Sequence, residues 1–158
     1  MRTRTANWFE TKIKYQKTME DGSEKVVSEL YVVDALTCTE AENKVIDEMS
    51  AYISGDNKVT SAREASFGEV FFSDNDDDDK WYKARLAFIT IDEKTEKEKR
   101  SNQTYLVQAK SLARALRYVD EVMSKTMIDY DIVGLNETHV MDVFEHSLPS
   151  DENKKDNE

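Results

Sequence analysis

The chain has 158 residues, 39% of them apolar and 35% charged, and a formal net charge of -11. That length holds one domain with a real core, or two small halves sharing one, and the composition excludes a wholly disordered chain. It also excludes a uniformly basic surface and a bilayer-spanning run, while Cys38, the single cysteine, rules out an internal disulfide or a multi-thiolate metal site.

In chain order the first expected element is a half-buried strand from Trp8, with Phe9, Thr11, Ile13 and Tyr15 alternating against Trp8, Glu10, Lys12 and Lys14. Asp21-Gly22 marks a turn into a second alternating strand through Tyr31-Val32-Val33, so the pair reads as a long hairpin. Ala41, Val45, Met49, Tyr52 and Ile53 then fall on one helix face, with Thr39 and Glu42 expected as its capping box. Lys58 to Phe72 returns to strand composition, bent or broken near Gly68.

The same order then recurs about 73 residues later. Trp81 opens a strand with Tyr82, Ala84, Leu86 and Phe88 inward and Lys83 and Arg85 outward; Tyr105-Leu106-Val107 completes the hairpin. Ser111 caps a helix carrying Leu112, Ala115, Leu116, Val119, Val122 and Met123, and Asp131 to Phe144 closes the copy, with a bend near Gly134. The expected class is therefore α+β, built from duplicated strand-strand-helix-strand units, with antiparallel sheets and helices on one face. The expected divisions are a first repeat over 5–73, an acidic linker over 74–80, a second repeat over 81–146 and a disordered acidic tail over 147–158.

Little in the chain reads as catalytic. Asp74, Asp76 and Asp78 stand at alternate positions as in a calcium loop, but the turn glycine is replaced by Asp79 and the bidentate glutamate by Arg85. His139 and His146 lack metal spacing, Cys38 reads as a small buried apolar residue, and no glycine-rich phosphate loop or nucleophile elbow is present. No enzyme activity, metal or cofactor is expected.

The candidate site is the outward face of the two opening strands. Trp8, Lys12 and Lys14 in one copy and Trp81, Lys83 and Arg85 in the other alternate aromatic and cationic groups, and Lys99 and Arg100 extend the basic surface. An exposed indole beside cations suits single-stranded nucleic acid, because an unpaired base offers a free π-face and its phosphates a charge. The competing reading packs Trp8 and Trp81 into protein and leaves the cations solvated.

Ala6-Asn7-Trp8-Phe9, Tyr31-Val32-Val33-Asp34-Ala35, Glu69-Val70-Phe71-Phe72-Ser73-Asp74 and Met141-Asp142-Val143-Phe144-Glu145-His146 together resemble an uncharacterised family of Bacteroides-type bacteria and their phages. The resemblance covers residues 5 to 146 and implies a phage or mobile-element accessory protein; it carries no activity and no functional residue. The order of strands and helix is also similar to the repeated units of Whirly and Pur-type single-strand binders.

Three functions stay open: a non-enzymatic single-stranded nucleic-acid binder, an acidic module that mimics DNA toward a host enzyme, and a structural protein assembling into homo-oligomers through sheet edges. The tail, with Asp151, Glu152, Asp156 and Glu158, offers a second acidic surface for a protein partner. With no membrane segment and no signal peptide, the protein is expected in the cytoplasm of a bacterial host.

Overall fold

The computed structural model describes residues 1–146; the acidic tail expected from 147 lies outside the described residues. Nine strands and two helices follow one another as β1 (Arg2–Thr5), β2 (Trp8–Thr18), β3 (Glu24–Asp34), α1 (Cys38–Met49), β4 (Asn57–Glu64), β5 (Glu69–Phe72), β6 (Lys80–Ile91), β7 (Glu98–Ala109), α2 (Leu112–Met123), β8 (Asp129–Glu137) and β9 (Val140–Phe144). The class is α+β, with a five-stranded sheet in the order β1-β5-β7-β6-β8 and a four-stranded sheet in the order β4-β2-β3-β9.

The duplication is written into the pairing register. In the first copy Phe9 pairs with Glu64, Lys12 with Ser61 and Ile13 with Val59; in the second, 73 residues on, Tyr82 pairs with Glu137, Arg85 with Gly134 and Leu86 with Ile132. Both ladders skip one residue at the same step, so Thr60 and Val133 are equivalent β-bulge residues.

Each helix covers one face of its own hairpin. Phe9, Ile13 and Tyr15 pack with Tyr31, Val33, Ala41, Val45 and Met49 in the first, and Tyr82, Ala84 and Leu86 with Tyr105, Val107, Ala115, Val119 and Met123 in the second. These are the inward residues that strict alternation assigns. The turns differ: Gly22 takes a left-handed φ of 83° after Asp21, whereas Glu96 bears φ 55° between β6 and β7 with no glycine to relieve it. The first capping box lies two residues before the expected Thr39–Glu42 pair: Thr37 accepts from the Glu40 amide at 3.1 Å, and Glu40 accepts from the Leu36 amide at 3.2 Å. Ser111 caps α2 as expected, accepting from the Arg114 amide. Cys38, expected to be buried, is exposed as the first residue of α1.

The repeats and the compact units have different boundaries. One unit holds residues 1–7 and 65–141, the other residues 8–64 and, among the described residues, 142–146. The long segment after each helix is broken, and its last strand leaves for the other sheet: β5 runs parallel to β7 of the second copy, and β9 lies beside β3 of the first. The composition of β5 explains its place. Val70 and Phe71 are fully buried on opposite faces and Phe72 nearly so, which suits its interior place between β1 and β7.

Candidate functional site

The two tryptophans are not a stacking platform. Trp8 is 2% exposed and Trp81 is 3% exposed. The Trp81 ring meets Phe72 edge-on at 5.8 Å, and its carbonyl accepts from the Thr138 amide and hydroxyl. Alternation does put both indoles on the sheet faces opposite the helices, but those faces are buried at the tryptophan end. Val32 in one sheet and Val70 and Leu106 in the other are fully buried on the same sides.

The cations divide differently in the two units. In the four-stranded sheet Lys12 and Lys14 are both exposed, and the register adds Lys58, directly opposite Lys14 on β4. Lys58 was not singled out from the sequence, because only the strand pairing brings it beside Lys14. Among the described residues none of the three takes part in an ion pair, whereas neighbouring Arg63 is held by Glu10 at 3.3 Å. Like charges directly opposite on a sheet repel, so this patch costs stability when nothing neutralises it.

In the five-stranded sheet Lys83, Arg85 and Arg100 share the outward face. Lys83 is half-buried, its ammonium 5.7 Å from the Phe67 ring centroid. Arg100 is bonded to Asp131 at 3.1 Å. Lys99, paired with Thr90, falls on the helix side and does not join them. Arg85 is exposed, and its guanidinium lies across Gly134, where an added Cβ would sit 3.3 Å from Nη2.

Three carboxylate networks are not visible in the sequence. Within the acidic run 74–79, Asp78 is 2% exposed, while Asp74, Asp76, Asp77 and Asp79 are open to solvent. Asp78 accepts from the Ser73 hydroxyl, the Lys110 amide at 2.8 Å, Arg114 Nη1 at 3.2 Å and the Tyr118 hydroxyl at 2.5 Å. Burial pushes its carboxyl up, but the four donors together outweigh burial and hold it below the usual carboxylate range. The segment read as a solvated linker is thus pinned beside the start of α2.

In the other unit His146 Nδ1 lies 2.6 Å from Asp34 Oδ1, and its Nε2 lies 3.7 Å from Glu48. Lys44 bonds the Asp34 carbonyl at 2.7 Å and Glu40 at 2.9 Å. Near the far end of the hairpin, Glu29 is 8% exposed and accepts from the hydroxyls of Tyr15 and Tyr31. Among the described residues no three His, Cys, Asp or Glu side chains are grouped to hold a metal, and no helix is long and apolar enough to cross a membrane.

These features define a duplicated α+β protein whose two sheet-and-helix units each carry cations on the outward face, with Lys12 and Arg85 at the equivalent position. The chain belongs to the family described as a domain of unknown function, DUF4494, whose model matches residues 7–146. No curated protein and no solved structure matches the chain.

Proposed function

We propose that this is a non-enzymatic protein that binds single-stranded nucleic acid by its phosphates, using the outward cations of the two sheets rather than base stacking. The observation that carries the reading is the exposed, un-neutralised group of Lys12, Lys14 and Lys58 in a chain of net charge -11. Residues two apart on a strand are about 7 Å apart, and cross-strand neighbours about 5 Å. A flexible single strand can bend successive phosphates onto such a patch more readily than a stiff duplex can. Arg85 and Lys83 supply the corresponding charge on the second sheet. Distant carboxylates are screened beyond about 8 to 10 Å, so the overall acidity does not prevent local phosphate binding. The resemblance to proteins of Bacteroides-type bacteria and their phages supports a role as an accessory protein of a phage or mobile element, working in the bacterial cytoplasm.

A second reading, an acidic module that engages a host protein in place of nucleic acid, is supported by the pinned loop. Asp74, Asp76, Asp77 and Asp79 surround the buried Asp78 anchor, so their charges are displayed from a fixed backbone.

Titration with a labelled oligothymidylate separates the two. Phosphate-led binding raises anisotropy without quenching the buried tryptophans and weakens as salt increases. Absence of binding at low salt removes the nucleic-acid reading and leaves the acidic one.

A further inference from the structure

We propose that each unit carries an oxyanion site at its β-bulge, formed by Lys12 opposite Ser61 in one and by Arg85 laid across Gly134 in the other, and that its ligand is a backbone phosphoryl group. The choice of ligand rests on the nucleic-acid reading above; the site itself rests on what the two copies have in common.

Position by position, the outward faces of the two copies have lost their likeness in charge. Glu10 corresponds to Lys83, Lys14 to Ala87, Lys58 to Asp131 and Arg63 to Asn136. One outward position keeps a cation in both: Lys12 and Arg85, which pair with the small residues Ser61 and Gly134 at the bulge step of each ladder. Both cations are exposed, and among the described residues neither is in an ion pair. Asp131, the nearby carboxylate on β8, is held by Arg100.

A simpler purpose for a bulge and a lysine is to protect a sheet edge from pairing with another chain. The arrangement here does not fit it. The bulges are in the edge strands β4 and β8, but the cations stand on β2 and β6, one strand further in. Edge protection accounts for the bulges and leaves the retained cations unexplained.

Gly134 has a direct part in the second site. An added Cβ there would oblige the guanidinium to shift by a few tenths of an ångström, whereas glycine lets Arg85 lie across the backbone of β8. A planar fork placed there suits two oxygens of one phosphoryl group, whereas Lys12 supplies a point charge. Gly134 is therefore a positioning residue.

The test uses the full chain, labelled with nitrogen-15, titrated with inorganic pyrophosphate at constant ionic strength and separately with a fluorescent oligothymidylate. Pyrophosphate is expected to shift the amides of residues 12, 60 and 61 and of residues 85, 133 and 134 above all others. Lys12→Gln should abolish the first set and Arg85→Gln the second, each sparing the other bulge, while Lys12→Arg restores the response. Gly134→Ala should weaken the second set several-fold with the spectrum otherwise unchanged. Shifts spread evenly over Lys14, Lys83 and Lys99, or no shifts, overturn the site. Oligonucleotide binding without bulge shifts also overturns it and leaves the nucleic-acid reading standing. Bulge shifts without oligonucleotide binding support the oxyanion site and overturn nucleic acid as its ligand.

Discussion

The hydroxyl of Tyr118 donates to Asp78 at 2.5 Å and so ties the middle of α2 to an acidic run that composition alone would leave in solvent. Asp78→Ala strands the Arg114, Tyr118 and Ser73 groups around a buried vacancy and should cost about 3 kcal/mol, the scale for breaking a buried charged network. Asp77→Ala, at an exposed neighbour, should stay within about 0.5 kcal/mol. Urea unfolding of both variants checks the contrast, and equal midpoints would mean that Asp78 anchors nothing.

Acid should act through the same carboxyl. Its folded-state value lies below the ordinary 3.8, so the stability it contributes is present above that value and is lost as pH falls through the lower one. Thermal melts below about pH 4 should therefore show a smaller acid-induced drop in Asp78→Asn than in the parent.

Alkali probes the other unit. Burial first, then the hydrogen bond to Glu29, pushes the Tyr15 hydroxyl up to about 12, and burial with the Glu29 charge raises Tyr31 further. Because the unfolded chain releases these protons near 10, stability is full below pH 10 and declines as pH climbs toward 12. Phenolate absorbance should show a late-titrating class that shrinks in Tyr15→Phe.

The exchanged strands should differ in weight. Phe71 on interior β5 is fully buried and stacks on Tyr105 at 5.0 Å, so Phe71→Ala should cost about 3 to 5 kcal/mol. Phe144 on edge strand β9 is half-buried and stacks on Tyr31 at 5.2 Å; its removal should cost about 2 kcal/mol. Chemical unfolding of the two variants measures the difference.

The inward faces were legible because alternation and helical spacing act locally: Phe9, Ile13 and Tyr15, and Tyr82, Ala84 and Leu86, lie where the pattern puts them. What periodicity cannot report is a second covered face. It distinguishes the two sides of a strand and takes one of them as wet, which misplaced Trp8 and Trp81. Pairing information was missing too. Nothing local in Glu69-Val70-Phe71-Phe72 says that this strand joins the sheet of the other copy, although its continuous apolar run marks an interior place. Lys58 entered the candidate site through register alone, and three of the four donors that distinguish Asp78 from its like neighbours lie 32 to 40 residues away.

The most direct measurement is the salt dependence of oligothymidylate affinity for the parent chain and for the triple variant Lys12→Glu, Lys14→Glu, Lys58→Glu, with circular dichroism to confirm folding. Phosphate binding through this patch requires measurable affinity at low salt and a logarithmic salt slope that falls by about 0.7 for each phosphate no longer neutralised, roughly two in all for the variant. Equal affinity and slope in parent and variant, or no binding by the parent at low salt, would contradict it.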